Sequence, residues 1–154
     1  MNDFRHILVP HDFSDHAHAA LQIGVGLAKR LRAEVTLVHI VQPPSYAYGY
    51  PAPGGTAAAL PNLLELEQSA RQGLVDLIEG LAEPPFRAKA EVYQGDNISQ
   101  ALCEAARKLD VDLIVMGTHG RTGLAHAFIG SVAERTLRSA PCPVLTVRGA
   151  ESSS

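Results

Sequence analysis

The chain has 154 residues, of which 46% are hydrophobic, 19% charged and only 5% aromatic, with no Trp. That is enough for one domain with a core of Val, Ile, Leu and Ala, and it excludes a disordered polymer. A formal net charge of -3 excludes the basic footprint of a nucleic-acid binder, and no run approaches the ~20 apolar residues that a membrane span needs.

His6-Ile7-Leu8-Val9-Pro10 reads as a short buried strand stopped by proline. Ser14 follows as a helix cap, because its hydroxyl accepts an orphan backbone N–H. From Ala17 to Leu31 apolar residues recur at helical spacing, and Lys29, Arg30 and Arg32 suit the negative end of that helix dipole. Glu34 to Val41 is β-branched and strand-like. Residues 42–61 are rich in Pro, Gly and Tyr, which predicts a long surface loop. Asn62 with Glu65 three residues on predicts a capping box and a helix running to about Leu81. Phe86 to Tyr93 alternates as a half-buried strand does. Gly95-Asp96-Asn97 turns into a helix over Ile98–Leu109, and Val111 to Met116 is another apolar strand. After a glycine-rich loop come a short helix, Val132–Ser139, a Pro141-Cys142-Pro143 stop and a last strand, Val144–Val147. Residues 149–154 read as a disordered tail, so residues 1–148 form the single expected domain.

Strands alternating with helices predict an α/β fold, a parallel sheet with helices on both faces. The simplest doubly wound order of five strands is 3-2-1-4-5. Ligands bind outside the carboxyl ends of the strands where the winding reverses, between strands 1 and 4. Two loops therefore command attention: Pro10-His11-Asp12 and the one opening with Gly117-Thr118-His119-Gly120.

In that second loop Gly117 and Gly120 stand three positions apart, and Gly130-Ser131 opens the next helix. A strand end, a glycine-rich loop and a helix start aim several N–H groups at one spot, and the helix dipole adds positive potential. A phosphate chain is the natural occupant, and a side chain at Gly117 or Gly130 is expected to enter its space. The Ser131 hydroxyl either meets a phosphate or caps the helix, and Asp12 either faces a ligand or caps the first helix.

The spacing G-x2-G-x9-G-S/T after an apolar strand resembles the motif of the ATP-binding universal stress proteins. Ile-Leu-Val-Pro-His-Asp-Phe-Ser near the N-terminus resembles that family's opening strand and aspartate, Val-His-Ile-Val its second contact region, and Gly-Ser-Val-Ala-Glu-Arg-Thr-Leu-Arg-Ser-Ala-Pro-Cys-Pro-Val-Leu-Thr-Val its closing helix and strand. The resemblance covers nearly the whole chain. It implies a Rossmann-like fold of the adenine nucleotide alpha hydrolase type and a nucleotide-dependent regulatory role in the stress response. ATP is the implied ligand, with ADP or AMP as alternatives and Mg2+ carried on the phosphates. By resemblance Asp12 contacts ribose, Pro10 shapes the wall, and Ile40 and Met116 meet the base. Gly117, His119, Gly120, Gly130, Ser131 and Val132 surround sugar and phosphates, and Arg121 reaches toward them. The resemblance also implies a homodimer through the last strand, residues 143–148. The competing reading is a slow ATP hydrolase or phosphate-transferring enzyme on the same site, with His119 or His126 as base. No residue is placed as catalytic.

Other signals are weaker. The chain has seven histidines, but no Cys/His spacing of a zinc site, and His16 and His18 face different ways on a helix. Gly24-Val25-Gly26 lies within a helix rather than after a strand. The common P-loop and the G-x-S-x-G elbow are absent. Cys103 and Cys142 read as reduced core residues. Met1 to His6 lacks the apolar stretch of a signal peptide, so the expected compartment is the cytoplasm, with no nucleic-acid partner and no membrane insertion.

Overall fold

The computed structural model describes residues 3–43, 62–85, 87–119 and 129–149. Most of the expected loop at 42–61, Phe86, and most of the tail lie outside the described residues. Nine elements follow in chain order: β1 (His6–Pro10), α1 (Asp15–Leu31), β2 (Glu34–Val41), α2 (Leu63–Glu79), β3 (Arg87–Gln94), α3 (Ile98–Lys108), β4 (Leu113–Gly117), α4 (Ser131–Ser139) and β5 (Val144–Val147). The strands form one parallel sheet in the order β3-β2-β1-β4-β5, the order expected from right-handed crossovers.

Local chemistry sets the helix starts. Ser14 accepts the Ala17 N–H at 3.2 Å, and α1 begins at Asp15, two residues before its apolar face does. Asn62 and Glu65 complete the capping box of α2: the Glu65 N–H donates to Asn62 Oδ1 at 2.8 Å. Asn97 caps α3 in the same way, through the Gln100 N–H. Arg32 closes α1 in the left-handed region at φ 56°, its N–H returning to the Ala28 carbonyl.

The sheet has a core on each face. Ile7, Val9, Leu21, Val35, Leu37 and Leu74 lie in the layer beneath α1 and α2. Leu8, Val38, Ile40, Leu102, Ile114 and Met116 lie in the layer beneath α3 and α4. The two sets alternate along β1 and β2, as the strand period requires. Ile7, Leu8 and Val9 are fully buried, each contributing roughly 1.5–3 kcal/mol. At the amino-terminal edge Asp112 Oδ2 accepts the Arg5 and His6 N–H groups, both at 2.9 Å. This joins the entrance of β1 to that of β4, at the end of the sheet opposite the site. Both cysteines are free thiols, Cys103 buried and Cys142 half-buried, and burial raises the pKa of each. Among the described residues no helix is long and apolar enough to cross a membrane.

Candidate functional site

At the carboxyl ends of the strands, where the winding reverses between β1 and β4, a cavity of about 730 Å³ opens. That is in the upper half of the range for small-molecule sites. Nine of the eleven site residues expected from the sequence line it: Pro10, Asp12, Ile40, Met116, Gly117, His119, Gly130, Ser131 and Val132. Gly120 and Arg121, with His126, lie outside the described residues.

The β1–α1 turn is built by its own side chains. Asp12 Oδ1 accepts the Ser14 N–H at 3.0 Å, while Ser14, not Asp12, caps α1. Asp12 thus braces the turn that leads into the helix, with its carboxylate at the cavity. His11 is 3% exposed, and its Nδ1 accepts the Phe13 N–H at 3.0 Å. In the neutral ring the proton then sits on Nε2. Burial pushes the His11 pKa down from 6.5 to about 4; Asp12 opposes this, and His18 and His39 add to it. His11 is therefore uncharged near neutral pH. Among the described residues His11 Nε2 is buried without a hydrogen-bond partner, and an unmet buried donor of this kind costs about 1–3 kcal/mol. His39 Nδ1 donates to the His11 carbonyl at 2.8 Å, which ties the end of β2 to the same turn.

Gly117 ends β4 and lines the cavity, and its missing side chain makes room for α1. A Cβ there would lie 2.9 Å from the His16 carbonyl oxygen and 3.0 Å from its carbon. Gly130 behaves likewise: its N–H donates to the Thr118 carbonyl at 2.7 Å, and a Cβ would lie 2.9 Å from that oxygen. A side chain at either position would thus meet protein backbone first. Both glycines allow backbone to approach backbone, and this brings the β4 end, the start of α1 and the start of α4 together.

Gly130 is also the N-cap of α4 and, as a glycine, offers no side-chain cap. The first helical bond runs from the Glu134 N–H to the Gly130 carbonyl at 3.0 Å. The N–H groups of Ser131, Val132 and Ala133 therefore have no acceptor within the helix. All three residues line the cavity. The Ser131 hydroxyl does not cap the helix, which settles one of its two expected roles. His119 shares a 2.9 Å hydrogen bond with the Thr118 hydroxyl through Nδ1. Its ring lies 5.3 Å from that of His16, and its Nε2 is buried without a partner. His18 faces His11 instead, with rings 6.5 Å apart, so the two α1 histidines diverge as their spacing requires. Among the described residues no group of three or more His, Cys, Asp or Glu is placed to hold a metal.

Several cavity residues were not anticipated. Phe13 and His39 line one side, and Leu66, Ser69 and Ala70 of α2 close it. His39 lay within the Val-His-Ile-Val segment, so its position was legible. Nothing in the sequence of α2 announces which of its faces meets the cavity.

Doubly wound parallel topology with a cavity at the switch point and a glycine-capped helix start defines a small α/β protein of the Rossmann-like class. Residues 3–148 match the Universal stress protein family. A universal stress protein of Methanocaldococcus jannaschii is 35% identical over 147 residues, covering 96% of this chain and 84% of that protein. The crystal structure of a universal stress family protein from Burkholderia pseudomallei superposes with a TM-score of 0.72 at 28% identity, covering 96% of this chain and 98% of that one. The universal stress protein from Archaeoglobus fulgidus in complex with dAMP has the same fold, with a TM-score of 0.59 at 19% identity, covering 94% of this chain and 98% of that one. The chain belongs to the universal stress protein family.

Proposed function

We propose that the cavity binds an adenine nucleotide, ATP foremost, and that the protein is a nucleotide-dependent regulatory module of the stress response. One observation carries this reading: the start of α4, with three N–H groups unmet by its own helix and a glycine as its cap, opens on the cavity. Such an end attracts anions by its N–H groups and its dipole together. The opposite wall suits a base, since Val38, Ile40, Leu102 and Met116 are buried apolar residues that reach the cavity. Between these two regions stands Asp12, whose carboxylate accepts hydroxyl protons such as those of a ribose. The residues present thus fit the parts of a nucleotide in the order base, sugar, phosphate. Mg2+, where present, is held by the phosphates and water. A relative of this fold holds dAMP.

The same reading takes β5 as the strand that meets a second copy. It is an edge of the sheet, and Leu145 on it and Leu137 on the adjacent α4 are 39% and 43% exposed. Unpaired edges of this kind are covered or paired in native proteins.

The direct test is to denature freshly purified protein and identify any released nucleotide by mass spectrometry, then to titrate nucleotide-free protein with ATP, ADP, AMP and GTP by calorimetry. Saturable one-to-one binding of ATP with discrimination against GTP is expected. Absence of binding by every adenine nucleotide would overturn the reading.

A further inference from the structure

The cavity is larger than the base-to-phosphate path just described, because it wraps both sides of the β2 end. Ile40 points toward α3 with the residues of that core layer. His39, one position earlier, points to the opposite face, as the strand period requires. It lies there against Phe13, with ring centroids 5.1 Å apart. Both residues line the cavity, which therefore meets both the α3 side and the α2 side of the β2 end, its α3-side and α2-side lobes. None of the residues assigned to the nucleotide belongs to the second lobe.

That second lobe is formed by aromatic and small residues. Phe13 holds a backbone φ of 66°, which is strained for an aromatic residue and is kept only where its surroundings demand it. Its ring lies against α2 at Gly73, where a Cβ would come within 2.8 Å of the ring. The ring nevertheless stays open, with Phe13 41% exposed. Leu66, Ser69 and Ala70 supply the α2 wall. The His11 ring sits on the same side, 5.5 Å from Phe13, and its buried Nε2–H has no partner. The side chains named here include no charged group. A flat ring stacks on Phe13. An ionic group would lose its water there without a counter-charge.

We propose that the α2-side lobe, walled by Phe13, His39 and Ser69 with the buried His11 ring behind them, is a second base subsite, so that the whole cavity takes a dinucleotide: two bases joined through phosphates. This inference rests on the nucleotide reading of the first lobe. Asp12, on the turn between the lobes, is within the path of either ribose.

Diadenosine tetraphosphate and ATP are the probes, titrated separately into nucleotide-free protein. The dinucleotide is expected to bind at least tenfold tighter than ATP. In Ser69→Phe, a change at an exposed helix position, the added ring fills the second lobe; ATP affinity is expected to hold within threefold while the tenfold gap disappears. Ser69→Ala keeps the gap. Equal affinities of the two probes for the parent protein, or a gap that survives Ser69→Phe, would overturn the second subsite while leaving ATP binding intact. Failure of both probes to bind would instead overturn the nucleotide reading itself.

Discussion

Replacing Ser131 by Asp separates the helix start as an anion site from the helix start as a structural element. Ser131 is the first residue of α4, is exposed, and lines the cavity. A carboxylate there favours the helix, because it answers the dipole and the unmet N–H groups, contributing about 0.3–1 kcal/mol. For a chain of this size that raises the melting temperature by roughly 1–3 °C. The same carboxylate repels a bound phosphate. At about 4 Å and an effective dielectric near 20, one pair of like charges costs about 4 kcal/mol. Exposure and salt reduce this, leaving about 2 kcal/mol, or roughly thirtyfold in affinity. Ser131→Ala removes only a hydroxyl and, at this exposed position, is expected to cost about 1.5 kcal/mol, roughly tenfold, the low end for one hydrogen bond to a charged group. Calorimetric titration with ATP and thermal melts of the nucleotide-free proteins give the two readouts. The expected signature is opposed: Ser131→Asp melts at or above the parent and binds ATP at least thirtyfold more weakly. An Asp variant that binds ATP within threefold of the parent would refute the placement of phosphate at α4.

Three further outcomes follow from the packing and the charges. His11 has its folded pKa depressed to about 4 from 6.5. The unfolded chain therefore binds the extra proton first, and stability is complete above pH 6.5 and falls as the pH drops toward 4. The loss approaches about 3 kcal/mol, and urea unfolding at pH 7 and pH 4.5 should show this slope flattened in His11→Phe. Gly117→Ala forces a Cβ to within 2.9 Å of the His16 carbonyl, and since neither backbone yields freely the variant should lose about 1–3 kcal/mol in chemical denaturation. An unchanged denaturation midpoint would show that α1 can retreat from β4. Leu74→Ala deletes a fully buried side chain that joins α2 to the core on its face of the sheet. The expected cost is about 2–5 kcal/mol, read in the same assay, and a loss below 1 kcal/mol would mean that α2 is not anchored there.

Much of this architecture was legible in the chain because it depends on local or periodic features. Apolar runs bounded by turns mark the strands, Ser14, Asn62 and Asn97 mark helix starts, and alternation of the two element types forces a parallel sheet. Right-handed crossovers restrict the strand orders, and the simplest doubly wound one, β3-β2-β1-β4-β5, places the crevice between β1 and β4. Boundaries moved by a residue or two, as with α1 starting at Asp15 and α4 at Ser131, because a helix begins at its cap and not at its first apolar contact.

What the sequence determined by itself is the run of alternating strands and helices and hence the parallel sheet, since capping and periodicity are short-range; the meeting of the β1 and β4 loops then follows from the simplest doubly wound order. Only the tertiary structure decided why Gly117 and Gly130 are glycines, which way His11 is tautomerised and buried, and that α2 closes a second side of the cavity. Those depend on how closely two backbones approach and on which face of a helix meets the sheet, quantities set by packing between segments distant in the chain and carried by no residue pattern within one of them.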